Sequence, residues 1–263
     1  MAQERWRKRV TMISSNATLW DRVRTLVDFS AWKGHLDPQD GFEDPTPMEA
    51  LRATCEAQGW GLVDHRQTPR RGRGRARGTR KIEDIYALWY HQTGCLISSE
   101  GLSIPAHSLI LRRTDTRPTT IVLLHPIRAY LYGSHHANPF AITIEVEACA
   151  AGVSGDPRTL WTPKGKTVAE HWAEASEDQI MATRIVGQYY IDEVAAQDGA
   201  VTHSGNHRNS HKSRVSDPGQ EIATRCTRYH GLLPGPVIGS GRPDPTVWGG
   251  DEGIPYSWRV RGW

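Results

Sequence analysis

No apolar run in the chain approaches the ~18 residues that a membrane-spanning helix requires, so the chain is not expected to cross a bilayer. The opening Met-Ala-Gln-Glu-Arg-Trp-Arg-Lys-Arg is basic, yet the apolar centre of a secretory signal does not follow it. The expectation is a protein made and held in the cytoplasm that reaches any outside target only after release. Cysteine is scarce and scattered: Cys55, Cys95, Cys149 and Cys226 form no Cys-x-x-Cys pair, which argues against a cysteine-only zinc site and a disulfide framework and leaves buried free thiols. No internal repeat is visible. Charge of one sign is also lacking overall, with a net value of +3. The basic excess lies in residues 66–80, seven of which are arginine, and the remainder is slightly acidic. The domain as a whole therefore lacks the electrostatic footprint of a nucleic-acid binder.

What is present describes a globular chain. Its 263 residues are enough to close a core without staples, and 38% of them are hydrophobic. Apolar spacing predicts a helix over 17–29. Thr46-Pro47-Met48-Glu49 carries a capping hydroxyl, a first-turn proline and a glutamate, and opens a helix ending at Gly59. A short strand at 61–63 follows. Residues 66–80, rich in arginine and glycine, read as a mobile loop or linker. Strands are expected at 85–91, 108–111 and 120–124, with a turn near Thr114 to Pro118. A further strand covers 140–146, where Phe140, Ile142, Ile144 and Val146 alternate with Ala141, Thr143 and Glu145. Thr167 is expected to cap a long helix to Ala196, followed by a strand at Val201-Thr202, a polar loop from His203 to Gly219 and a helix from Gln220 to Tyr229. The tail from Leu232 is rich in Pro, Gly and Trp. The fold class is α/β, a single mixed β-sheet flanked by helices. The organisation is an N-terminal helical extension over 1–80, a main domain over 81–231 and a tail over 232–263.

Three features carry chemistry. His207 and Asp217 lie ten positions apart on one polar loop, and imidazole and carboxylate are ordinary zinc ligands. Asp217-Pro218-Gly219 equally suits a helix start, so Asp217 reads as cap or ligand, and the roles can coexist. His91 closes an apolar strand before a glycine turn and projects at the rim of the sheet; hydrogen bonding alone would also explain it. With His207 and Asp217 it completes the three protein ligands of a catalytic zinc. Glu145 lies on the strand face opposite Ile142 and Ile144. It is either a solvated carboxylate or the group that moves a proton between water and a leaving nitrogen, with Glu147 the less favoured choice.

The stretch from Lys81 to Tyr229 resembles the zinc N-acetylmuramoyl-L-alanine amidases related to peptidoglycan recognition proteins and phage lytic enzymes. The likeness runs through Trp89-Tyr90-His91-Gln92-Thr93-Gly94, then Pro105-Ala106-His107-Ser108-Leu109-Ile110, then Gly133-Ser134-His135-His136-Ala137-Asn138, then Ile144-Glu145, and closes at His207 and Asp217-Pro218-Gly219. The resemblance implies zinc on His91, His207 and Asp217, with Glu145 as acid/base. It places His135, His136 and Asn138 near a peptidoglycan or muramyl-peptide substrate. Many members carry a lysine two positions before the third ligand. Here that position is Val215, which leaves Arg214 or His211 to supply the positive charge. His107 reads as structural, His171 and His230 as helical bystanders, Trp89 and Trp172 as core, and Trp248, Trp258 and Trp263 as anchors of the tail. Two rival readings are a peptidoglycan-binding module without catalysis and a nucleic-acid binder using residues 66–80.

Overall fold

The computed structural model of the protein describes residues 27–28, 45–70, 72–97, 100–149, 174–210, 217–236 and 238. In chain order the elements are β1 (Val27–Asp28), α1 (Pro45–Gln58), β2 (Gly61–Asp64), β3 (Gly78–Arg80), β4 (Ala87–Gln92), β5 (Ser108–Leu111), β6 (Thr120–Leu123), β7 (Ala129–Tyr130), β8 (Ala141–Val146), α2 (Glu177–Ala196), β9 (His203–Asn206), α3 (His207–Ser210), α4 (Gln220–Arg225) and β10 (Leu233–Pro234). Seven strands form one sheet in the order β10-β9-β4-β8-β5-β6-β2, while β1, β3 and β7 make a small antiparallel sheet. Within the large sheet β5 and β6 are antiparallel and every other neighbouring pair is parallel, so the expected mixed α/β sheet is what forms.

Side-chain alternation divides this sheet into two faces with different duties. Leu88 and Tyr90 of β4, Ile110 of β5 and Ile142, Ile144 and Val146 of β8 pack with Leu51 and Cys55 of α1 and Ile180, Val186, Tyr189, Tyr190 and Val194 of α2. The intervening residues point the other way. Trp89 joins Phe140, Ala141 and Ile238 in one cluster, and Leu109 joins Val122 and Leu124 in another. Strand β4 is buried along its whole length, as expected for a central parallel strand covered on both sides. His91 and Glu145 therefore belong to the face that does not carry α1 and α2.

Several expected elements take a different form. Val27 and Asp28, placed in a helix over 17–29 by apolar spacing, form an extended pair with β3, because Gly78–Arg80 supplies a backbone edge that a local pattern cannot foresee. The long helix starts at Glu177 and not at Thr167, since residues 174–176 are not helical. Ser176 and Gln179 close a reciprocal capping box there: Ser176 Oγ accepts from Gln179 N at 3.3 Å and Gln179 Oε1 accepts from Ser176 N at 3.1 Å. Thr167, His171 and Trp172 lie outside the described residues, as do Trp248, Trp258 and Trp263. The strand expected at Val201-Thr202 begins two residues later and takes up His203–Asn206 from the expected polar loop. The last expected helix stops at Arg225, which leaves His230 in a turn.

Parts of the arginine–glycine stretch pack into the domain, with Arg70, Gly74, Ala76 and Gly78 to Arg80 buried. Arg80 is 1% exposed and its guanidinium holds three backbone carbonyls. It donates to Ile127 O at 2.6 Å, Ala141 O at 2.7 Å and Asn138 O at 3.0 Å. Arg70, also buried, lies 3.3 Å from His125 Nε2. A planar cation with five fixed donors holds these carbonyls in a rigid fork that a flexible ammonium does not reproduce.

Candidate metal centre

Strand β4 carries His91 to the rim of the sheet, and parallel β9 delivers His207 beside it at the start of α3. That junction is held by Asn209, whose Oδ1 accepts from the Asn206 amide at 3.0 Å. Asp217 arrives on the segment before α4. The cap of α4 is Gly219, and the Asp217 carboxylate turns instead towards the histidines. Its Oδ2 lies 3.3 Å from His91 Nδ1 and 2.9 Å from His207 Nδ1, while its Oδ1 accepts from the Gln92 amide at 2.9 Å. Of the two roles open for this residue, cap or ligand, the cap position falls to Gly219, and the carboxylate faces the two histidines.

All three side chains are buried, and one donor atom from each lies within 4.8 Å of the others. The rings of His91 and His207 meet at 4.4 Å between centroids, close to edge-on. Bonds of about 2.0 Å at tetrahedral angles would set donors roughly 3.3 Å apart, so two imidazole nitrogens and a carboxylate oxygen at these separations fit zinc. Burial pulls the His207 pKa down to about 4, with the charge of His91 as a second cause, so His207 is neutral at physiological pH. Burial works against ionisation of Asp217, but the two histidines outweigh it and hold the carboxyl well below the usual range.

Glu145 stands on β8 directly across from His91, in the parallel register that also pairs Trp89 with Thr143. Residues paired in this way project from the same face. Glu145 is half-buried. Glu147, by contrast, is 2% exposed. Its oxygens accept from Ile97 N at 2.5 Å, Arg112 N at 2.7 Å and Arg117 Nη2 at 2.9 Å, so its carboxylate is occupied in tying loops together.

The turn after β7 supplies the next ring of residues. His135 adopts φ +48° and its ring lies 4.6 Å from that of His207. His136 is half-buried in the same turn. Asn138 points inward, and its Oδ1 accepts from the Ser134 amide at 2.6 Å. Of the three expected substrate contacts, His135 is the one whose ring is seen against His207. His211 and Arg214 lie outside the described residues, as does Val215. His107 is structural as expected: its Nδ1 accepts from the Thr143 amide at 3.0 Å.

One participant escaped the sequence reading. Ser134 is fully buried, with Oγ 3.2 Å from His91 Nε2 and 2.5 Å from Thr143 Oγ1. Its place beside His135 in the turn was visible, but a serine carries no spacing signal that would single it out.

No family model matches the chain, and no curated protein matches it. Among solved structures it is similar to the endolysin N-acetylmuramoyl-L-alanine amidase LysCS of Clostridium intestinale URNW, at 14% identity over 60% of this chain and 86% of that one, with a TM-score of 0.36. It is similar also to the amidase LysC of the same organism, at 15% identity over 60% and 88%, with a TM-score of 0.37. A third is the Ph2119 endolysin from Thermus scotoductus MAT2119 bacteriophage Ph2119, at 15% identity over 60% and 91%, with a TM-score of 0.36. Each of these likenesses covers three fifths of this chain.

Proposed function

We propose that the protein is a zinc hydrolase that cuts the amide between N-acetylmuramic acid and L-alanine in peptidoglycan. One observation carries the reading: Asp217 Oδ2 lies 3.3 Å from His91 Nδ1 and 2.9 Å from His207 Nδ1, and the three buried side chains each turn a donor atom to one point. The ordered motifs that resemble the zinc amidases lend it the choice of bond. These three residues would hold the metal. Zinc, when bound, polarises the scissile carbonyl and lowers the pKa of water towards about 7.

The remaining work falls to the protein's own groups. Glu145, on the rung beside His91, takes a proton from the attacking water and returns it to the leaving amine. The Gln92 amide holds the far oxygen of Asp217, which keeps the other oxygen turned towards the histidines. His135 flanks the pair on the side of its turn, where it can bind the substrate's polar groups.

A binding module without catalysis is disfavoured by the presence of all three donors together with Glu145. Inward-facing Arg70 and Arg80 similarly weaken a nucleic-acid role for residues 66–80. The reading is tested by mass spectrometry of purified sacculi after digestion. Stem peptides with a free L-alanine amine, together with glycan that retains its lactyl acid, are expected. Release of reducing sugars or cleavage within the stem peptide would replace the proposed bond with another.

A further inference from the structure

We propose that Ser134 and Thr143 form a hydroxyl relay that fixes His91 with Nδ1 towards Asp217, making both of them positioning residues for the metal site; this rests on the zinc reading above. Ser134 Oγ sits between two partners, His91 Nε2 at 3.2 Å and Thr143 Oγ1 at 2.5 Å. Ser134 and Thr143 are buried, at 0% and 2% exposure, so water does not compete for these contacts.

The backbone gives the relay little room to move. Thr143 lies on β8 beside Trp89, two residues before Glu145, and the sheet register sets its height. On the other side, Arg80 ties down the Asn138 carbonyl at 3.0 Å, and Asn138 Oδ1 accepts from the Ser134 amide at 2.6 Å. Gly133 comes so close to Pro105 that a Cβ there would sit 2.0 Å from the Pro105 carbonyl oxygen.

Proton counting gives the relay a direction. A neutral imidazole carries one N–H, and the nitrogen that binds a metal carries none. With Nδ1 facing Asp217 Oδ2, Nε2–H donates to Ser134 Oγ. In the relay the serine hydroxyl donates onward, to Thr143 Oγ1. Removing Ser134 deprives Nε2–H of its acceptor. Removing the Thr143 oxygen frees the serine proton to turn back towards Nε2 and oppose the tautomer that the metal needs. Outer hydrogen bonds of this kind orient ligating histidines and raise their basicity.

The test uses the full chain and two readouts independent of turnover. Zinc affinity, measured by competition with a chromophoric chelator, should fall about 10- to 100-fold in Ser134→Ala. It should fall by a smaller factor in Thr143→Val, which is nearly isosteric, and stay near wild type in Thr143→Ser, which keeps the oxygen. In the zinc-loaded protein, nitrogen-correlated proton NMR should show a slowly exchanging His91 Nε2–H in wild type and Thr143→Ser, and its loss in Ser134→Ala. Equal zinc affinity and an unchanged His91 signal in Ser134→Ala would overturn the relay while leaving the zinc reading intact. A wild-type chain that takes up no zinc would sink both. Should Ser134→Ala not fold, Thr143→Val decides, and wild-type affinity there overturns the relay.

Discussion

His91 and Glu145 occupy the same rung of neighbouring parallel strands and project from the same face of the sheet. An imidazole that turns towards Asp217 and a half-buried carboxylate are thereby held one strand spacing apart, about 4.8 Å between backbones. The fold fixes this separation without help from any loop. Glu145→Gln keeps the shape of the side chain and removes its ability to take a proton. Turnover on purified sacculi should fall by about 10²- to 10⁴-fold, while zinc content by elemental analysis stays at the wild-type level. Wild-type turnover in this variant would remove Glu145 from the mechanism.

Asp217 bridges the two histidines, so its loss should undo the site as a unit. Asp217→Ala leaves His91 and His207 without their shared partner and the Gln92 amide without its acceptor. Zinc bound per chain should drop close to zero. The thermal midpoint of wild type should rise with added zinc, because a ligand that binds the folded state alone stabilises it, whereas that of the variant should not move. Zinc uptake by Asp217→Ala equal to wild type would show that the metal sits elsewhere.

Arg80 offers a direct contrast between a strut and a charged arm. If its role is to satisfy the carbonyls of Ile127, Ala141 and Asn138, Arg80→Lys is not conservative despite retaining the charge. Each stranded buried carbonyl costs about 1–3 kcal/mol, so urea denaturation should show a loss of several kcal/mol. A variant as stable as wild type would return residues 66–80 to the role of a solvated loop.

Gly133→Ala should be costly for a steric reason alone. The atom in the way is a backbone oxygen, Pro105 O at 2.0 Å from the added carbon, and it has no rotamer by which to escape. Overpacking of this sort typically costs about 1–3 kcal/mol. The shift should appear as a lower urea midpoint with an unchanged slope, and a neutral result would mean that the turn is free to move.

Acid should unfold the protein through its buried histidines. Burial lowers the pKa of His125 to about 3, with Arg70 adding to the effect, and that of His203 to about 4. His107 is likewise pushed well below its ordinary value by burial and by Arg80. Between those folded-state values and the ordinary 6.5, the unfolded chain binds protons that the folded chain refuses. Stability is therefore complete above pH 6.5 and declines as pH falls through that window, by about 1.4 kcal/mol per pH unit for each such histidine. Urea midpoints measured from pH 7.5 to 4.5 should fall steadily below 6.5, and His203→Gln should lessen the slope. A flat profile would mean that these rings accept protons in the folded state.

The alternation in Ala141–Val146 and the apolar run ending at His91 identified two central strands, because burial on both faces and a two-residue period are written into the side chains themselves. The third strand of the site was unreadable for the opposite reason. His203-Ser204-Gly205-Asn206 is polar and contains glycine, yet it pairs with β4. Gly205 is there because a Cβ would lie 2.5 Å from the Trp89 ring, a requirement set by a residue more than a hundred positions away. Separation in sequence likewise hid Arg80, whose carbonyl partners lie tens of positions away, and the contact of Ser134 with the His91 ring.

The sequence by itself determined the mixed α/β class, and it named two histidines and an aspartate as the residues able to hold a metal. These followed from side-chain type, period and order along the chain, all of which are local. Only the tertiary structure decided that Asp217 faces the histidines and not a helix end, that Glu145 shares their face while Glu147 is bound up in loops, and that a buried serine backs His91. Each of those outcomes depends on which strands become neighbours and in what register, and that choice is made by packing the whole core at once.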